Sequence, residues 1–254
     1  MATERLFTSY RPPLVTPLHA LIFGSTLLVY NVHFIFKRSS PDLSDRYGWS
    51  QYYMIWHYGA ILTGIALIGT GLLFLPLKIW LACGVLGLLS FAYSIPLLPL
   101  RNKKRIKDFG WIKLFTLVSV WTIVTAVLPI LYWDKQLVAY PFEILIRFIF
   151  MLALCIAFDI RDMQTDMDAS IYTLPNSIGV KNSYRLIHIA IVLFAILSVV
   201  QYIRYPSLQR LSAEIITAIT TMGVIHYTKR HPSDRVYLAL VDGMMLLYAV
   251  LILI

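Results

Sequence analysis

Eight long apolar runs divide this chain and leave only short polar connections between them. The runs cover residues 16–36, 52–75, 77–98, 111–131, 137–158, 184–203, 208–227 and 235–254. Most exceed about 18 residues, too long for a buried strand but close to the roughly 20 that a helix needs to cross a bilayer. They lack the alternation of polar and apolar residues typical of an outer-membrane barrel. The runs therefore predict an all-α integral membrane protein, a polytopic bundle of about eight transmembrane helices.

The composition agrees with a membrane location and excludes two other classes. Hydrophobic residues make up 59% of the 254 residues and charged residues 14%, whereas soluble domains are nearer half apolar and a quarter charged. A disordered chain would carry more charge and fewer apolar residues. No linker is long enough to separate two domains, so the sequence predicts a single transmembrane domain over residues 1–254.

The positive charges follow a pattern that predicts the orientation of the helices. Fifteen of the 22 Lys and Arg residues lie in or beside the first, third, fifth and seventh loops. The positive-inside rule places these loops in the cytoplasm and both termini on the other side. The net charge of +9 thus indicates topology and attraction to anionic lipid or an anionic substrate, rather than to nucleic acid. The first run has no signal-peptide cleavage site and should remain as a helix.

An acidic cluster after the fifth apolar run is the strongest candidate for chemistry. It holds Asp159, Asp162 and Asp166 in the pattern DxxDxxxD. If the preceding helix continues through this segment, the spacing places all three carboxylates on one helix face. Such a group needs a compensating cation, and Mg²⁺ takes carboxylate oxygens while keeping positions for water and phosphate. A solvated acidic loop that caps the helix end is the structural alternative.

Two segments resemble parts of a known family, the UbiA superfamily of intramembrane prenyltransferases. The family's second aspartate-rich motif is similar to the segment that contains Asp159, Arg161, Asp162, Asp166, Thr173, Pro175 and Gly179. The family often has glycine where this chain has Ser170. The family's loop after its fourth helix is similar to Tyr93-Ser94-Ile95-Pro96 and the basic run from Arg101 to Lys107.

The resemblance implies a bundle of nine helices with a central cavity open toward the cytoplasmic face of an inner or plasma membrane. Family members use Mg²⁺ to bind a prenyl diphosphate, and transfer the prenyl group to a hydrophobic acceptor, such as an aromatic quinone precursor. The resemblance makes Asp159, Asp162 and Asp166 the expected catalytic and metal-binding residues. The expected substrate-binding residues are Asn31, Tyr93, Arg101, Lys103, Lys104, Arg105, Lys113 and Arg161.

The chain departs from the family at the first aspartate-rich motif. Asn31 is present, but the family's three aspartates are replaced by Val32, Ile35 and Ser39. Two other aspartates, Asp42 and Asp45, follow beyond a proline and could substitute for them. One apolar run leads to this motif instead of the family's two, so the chain either begins late or lacks the first helix.

Other interpretations follow from these departures and from charges within the runs. The incomplete first motif favours a catalytically inactive UbiA-like homologue that binds isoprenoid lipid or acts as a membrane scaffold. A small cation-coupled transporter could use the aspartates as an ion site, although that class favours mid-membrane charges. Glu143 and Arg147, four residues apart, could form a structural pair, with a cavity-facing role as the second interpretation. Glu214 lies near a helix start, where it suits the helix dipole.

Overall fold

The computed structural model describes residues 2–5, 15–36, 54–94, 110–168 and 170–254. All regular structure within these ranges is helical, which confirms the predicted fold class. The chain forms two compact units, a smaller one at Pro12–Leu81 and a larger one made of Met1–Arg11 and Ala82–Ile254. A single transmembrane domain over the whole chain stays a prediction.

A long helix forms at each of the eight predicted apolar runs. The smaller unit contains α2 (Pro17–Phe36) and α3 (Met54–Leu73), and α4 (Leu77–Ser94) begins there and continues into the larger unit. The larger unit adds α5 (Gly110–Tyr132), α6 (Pro141–Arg161), α9 (Val180–Arg204), α10 (Leu208–Arg230) and α11 (Asp234–Leu253). It also contains the short helices α1 (Ala2–Arg5), α7 (Met163–Asp168) and α8 (Leu174–Ile178).

The helices differ in how well they suit a lipid environment. Within the described ranges, α3, α5, α6, α9 and α11 are long and apolar enough to cross a membrane, while α2 and α4 hold shorter apolar stretches. α10 is more polar because it carries several threonines, of which Thr217 and Thr228 are fully buried. Their hydroxyls donate to carbonyls of the same helix at 2.7 and 2.8 Å. Burial against the other helices therefore accommodates its polar residues.

In the smaller unit, α2 and α3 pack closely through glycines. A Cβ atom at Gly24 would lie 2.8 Å from the carbonyl oxygen of Gly64, and a Cβ at Gly64 would lie equally close to the Gly24 carbonyl. Larger residues at either place would force the two backbones apart. Small residues commonly allow this approach in membranes, where van der Waals packing replaces the hydrophobic driving force.

In the larger unit, α6 is the central helix and packs against α5 and α9. Phe150 on α6 is buried, and its ring centroid lies 5.3 Å from those of both Phe194 on α9 and Tyr248 on α11. Aromatic rings at such separations interact favourably beyond the area they bury. These contacts fix α6 against its neighbours and hold its C-terminal end, which carries Asp159.

A buried charge network occupies the opposite end of α6. Glu143 and Arg147 pair as predicted, with 3.5 Å between Oε1 and Nη2. Arg210 on α10 also binds Glu143, and its Nε lies 3.0 Å from Oε1 of Glu214. The Tyr248 hydroxyl donates to the same Glu214 oxygen at 3.0 Å. Glu214 is therefore a buried ion-pair partner, and its interpretation from the helix dipole alone was incomplete.

The segment containing α1 attaches to this network. The Thr3 hydroxyl donates to the carbonyl of Thr125 at 2.6 Å, and Nη2 of Arg147 donates to the Thr3 hydroxyl oxygen at 3.3 Å. Pro129, four residues after Thr125, has no N–H to donate to that carbonyl. The first residues of the chain thus lie at the end of α6 that is away from Asp159.

Candidate functional site

The α6 helix ends inside the aspartate motif. Its last residue is Arg161, Asp162 follows with a ψ of 3°, and α7 begins at Met163. The prediction that three carboxylates share one helix face required α6 to continue through the motif. α6 ends at Arg161, so this requirement is not met. Asp159 and Asp166 come together across the break, whereas Asp162 has a different partner.

Lys113 on α5 joins the two converging aspartates. Its Nζ lies 3.3 Å from Oδ1 of Asp159 and 2.6 Å from Oδ2 of Asp166. The exposed fraction is only 12% for the Lys113 side chain, and 3% and 8% for the residues Asp159 and Asp166. Burial strengthens these pairs and makes an unpaired carboxylate costly. The resemblance implied that Lys113 contacts phosphate, and the structure places its ammonium group between two carboxylates.

Gly110 allows the first turn of α5 to reach this site. A Cβ atom at Gly110 would overlap the carbonyl oxygen of Tyr172 and would lie 2.8 Å from Cα of Thr173. α5 therefore begins in direct contact with the backbone that follows α7. Lys113 is about one helical turn further along, which brings it within reach of Asp166.

Gly110→Ala is expected to lower the free energy of unfolding by about 1–3 kcal/mol, because the added methyl group has no space. Thermal unfolding of the purified protein in detergent measures the change. Gly223→Ala is the matched control, since a Cβ at Gly223 meets nothing within 4 Å among the described residues. Equal unfolding temperatures for the two variants would contradict the close approach of α5.

Two turns in the motif use a left-handed backbone. Ser170 has a φ of 57° and its N–H donates to the carbonyl of Met167 at 2.8 Å, which closes the turn after α7. Gly179, immediately before α9, has a φ of 83°. Glycine adopts such values without steric cost. This backbone explains the glycine that the family often has at the place of Ser170.

Asp162 is bound by its neighbour Arg161. Nε and Nη2 of Arg161 donate to the two Asp162 oxygens at 2.7 and 2.8 Å, a bidentate pair. The guanidinium also lies 4.8 Å from the ring centroid of Phe158, and its Nε lies 4.0 Å from Asp234 at the start of α11. Arg161 and Asp162 thus belong to a different surface of the larger unit from Lys113.

The remaining predicted substrate contacts are only partly described. Tyr93 lies within α4, but its side chain is outside the described part of the chain. The following basic and acidic candidates lie outside the described residues: Arg101, Lys103, Lys104, Arg105, Asp42 and Asp45. Their roles stay predictions.

Asn31 links two helices of the smaller unit. Its Nδ2 donates to the carbonyl of Leu27 at 2.7 Å, and its Oδ1 lies 2.7 Å from Nδ1 of His57 on α3. Sequence reasoning missed His57 as its partner because the two residues share no motif and are 26 positions apart. Both polar groups of the Asn31 side chain therefore bond to residues of α2 and α3. The role of Asn31 in substrate binding stays a prediction.

Asp159 and Asp166 fit Mg²⁺ as a partial ligand set. The described residues contain no group of three or more Asp, Glu, His or Cys side chains placed to hold a metal. Mg²⁺ is often held by only one or two carboxylates together with substrate phosphates and water. Oδ2 of Asp159 is buried and has no hydrogen-bond partner in the described part of the chain, so it has capacity for a ligand.

Comparison with known proteins identifies the fold. No family model and no curated protein matches the sequence. A solved structure, described as digeranylgeranylglyceryl phosphate synthase in membranes, aligns with a TM-score of 0.54 over 93% of this chain and 83% of that chain. The two sequences are 17% identical. The chain has the UbiA fold.

The UbiA fold confirms the resemblance that the aspartate motif indicated. Many apolar residues are interchangeable on a lipid-facing surface, so a membrane fold can persist while most of its sequence diverges. The resemblance implied nine helices, and the described residues of this chain form eight long ones. The motif around Asp159 and Asp166 is the sequence signal that pointed to the fold.

Proposed function

We propose that this protein is a membrane prenyltransferase that moves an isoprenyl group from a prenyl diphosphate to an aromatic or quinone-precursor acceptor. The observation that carries the proposal is the buried group of Lys113, Asp159 and Asp166 at one end of a UbiA fold. A lysine beside paired carboxylates offers both a phosphate donor and oxygen ligands for Mg²⁺. The likeness to a digeranylgeranylglyceryl phosphate synthase supports prenyl transfer as the general reaction.

The proposed chemistry assigns different tasks to the three side chains. Mg²⁺, when bound, would offset the negative charge of the diphosphate leaving group. Asp159 and Asp166 would hold the ion, and Lys113 would turn from them to donate hydrogen bonds to a phosphate oxygen. The allylic C–O bond breaks and its electron pair leaves with the diphosphate. An acceptor carbon forms the new bond and then loses its proton.

The membrane would supply the hydrophobic substrates. α9 exposes large apolar side chains such as Ile189 and Ile196, as expected of a helix in contact with lipid. A prenyl chain and a hydrophobic acceptor both partition into such an environment. The excess of positive charge in alternate loops supports an orientation with the aspartate motif toward the cytoplasm. An inner or plasma membrane is the location that the family resemblance implies.

A catalytically inactive UbiA-like homologue is the second candidate. The observation in its favour is Asn31, the one matching residue of the first motif, whose polar groups bond Leu27 and His57. Such a protein would bind an isoprenoid or organise other membrane proteins without breaking the diphosphate bond.

An assay of the full chain in lipid nanodiscs separates these candidates. Geranyl, farnesyl and geranylgeranyl diphosphate are each supplied with Mg²⁺ and with 4-hydroxybenzoate or dihydroxynaphthoate. Diphosphate release and the mass of the prenylated acceptor are measured. We expect release that depends on both the acceptor and Mg²⁺. Bound isoprenoid with no diphosphate release for every donor would overturn the enzyme proposal in favour of the inactive homologue.

A further inference from the structure

A pocket lies on the side of α6 that is opposite to Lys113. An open cavity of about 440 Å³ is bordered by the end of α6, the start of α9, the end of α10 and the start of α11. This volume is within the usual range of small-ligand pockets, about 300–1,000 Å³. The pocket is lined by Arg161, Tyr184, Thr228, Lys229, Asp234 and Tyr237, among others.

Helix geometry separates this pocket from the Lys113 site. Arg161 follows Asp159 by two residues, so their side chains leave α6 about 200° apart. Asp159 points to α5, where it meets Lys113, whereas Arg161 points to Asp234 at the start of α11. The pocket lining does not include Lys113, Asp159 or Asp166. The two sites therefore do not share a ligand-binding side chain.

Cationic groups and hydroxyls line the pocket. The Lys229 ammonium lies 4.5 Å from the ring centroid of Tyr184 and has no carboxylate partner among the described residues. Arg161 uses Nε and Nη2 to bind Asp162, which leaves donors on Nη1. The hydroxyl-bearing residues Thr228 and Tyr237 are almost completely buried. Asp234 is the single acidic lining residue, and its side chain is 58% exposed.

We propose that this pocket binds a phosphate group, either in the headgroup of an anionic lipid or in a soluble phosphate compound. Arg161 provides directional donors and Lys229 a mobile point charge, a combination that suits phosphate oxygens. The Thr228 hydroxyl already donates to the carbonyl of Ile225, so Arg161 and Lys229 are the side chains that would donate to the phosphate. Basic pockets between the ends of membrane helices commonly hold lipid headgroups. The site is independent of the prenyl-transfer proposal.

Calorimetric titration of the full-length protein in neutral detergent tests the site. The probes are dioleoyl phosphatidic acid, inorganic phosphate and, as the uncharged-headgroup reference, dioleoyl glycerol. The test variant is Lys229→Gln, and the matched control is Arg230→Gln, which removes one positive charge from the adjacent residue outside the pocket. Thermal unfolding without ligand verifies that both variants are folded.

We expect phosphatidic acid to bind, and Lys229→Gln to weaken binding about tenfold or more, as for loss of a hydrogen bond from a charged donor. Arg230→Gln should change the affinity less than about twofold. If phosphatidic acid binds and inorganic phosphate does not, the ligand is a lipid headgroup. If inorganic phosphate binds and phosphatidic acid does not, the ligand is a soluble phosphate compound. Equal effects of the two variants, or no binding of either phosphate probe, would overturn the proposal. If Lys229→Gln fails to fold, Arg161→Lys is titrated in its place and judged by the same criteria.

Discussion

Asp166→Asn is expected to lower the rate of prenyl transfer by about a hundredfold or more. The neutral amide keeps the size of the side chain but removes the charge that meets Lys113 at 2.6 Å. It also removes one of the two carboxylates that would hold Mg²⁺, so both roles proposed for this position are lost. Acceptor prenylation in nanodiscs, measured at several Mg²⁺ concentrations, gives the rate and its metal dependence.

Asp168→Asn is the matched control for this experiment. Asp168 lies on the same short helix, is exposed, and accepts a hydrogen bond from Gln164 at 3.0 Å. The control variant should keep nearly all of the activity, because its side chain takes no part in the Lys113 site. Similar rates for the Asp166 and Asp168 variants would reject the assigned site, even if the protein is a prenyltransferase.

Arg210→Met is expected to lower the free energy of unfolding by about 3–5 kcal/mol. Arg210 neutralises both Glu143 and Glu214, whose side chains are only 2% and 1% exposed. Removing the guanidinium leaves one of these carboxylates without a cation and the other with Arg147 alone. Reversible unfolding in mixed micelles, followed by circular dichroism, measures the loss.

Arg204→Met provides the comparison for Arg210→Met. Arg204 is exposed at the end of α9, where its guanidinium lies 5.3 Å from the ring centroid of Phe142. Loss of an exposed cation–π contact should cost about 0.5–1 kcal/mol. If both variants unfold at the same denaturant concentration, the buried network does not have the stabilising role inferred from its geometry.

The helices could be predicted from the sequence because each depends on a local property. A run of about 20 apolar residues specifies a membrane helix wherever it occurs, and the predicted run at 137–158 corresponds closely to Pro141–Arg161. The end of that helix was less predictable. Arg161 binds Asp162 with two hydrogen bonds where the backbone turns. No proline or glycine in the sequence indicates that the helix ends there.

The partner of the aspartates could not be inferred from the local sequence. Lys113 is 53 residues from Asp166, and its approach depends on the absence of a side chain at Gly110. Arg210 is similarly 67 residues from Glu143, whose predicted partner was Arg147 alone. Spacing along one helix indicates which residues share a face, but it does not specify the neighbouring helix.

The sequence by itself determined the membrane class, the positions of the helices and the location of an acidic motif after the fifth apolar run. These features follow from hydrophobic length and residue type, which act locally. Only the tertiary structure decided that Asp159 and Asp166 share Lys113, that Asp162 pairs with Arg161, and that Arg161 faces a second pocket. The physical reason is that charges from distant segments meet only where close backbone packing and buried contacts fix the helices against one another.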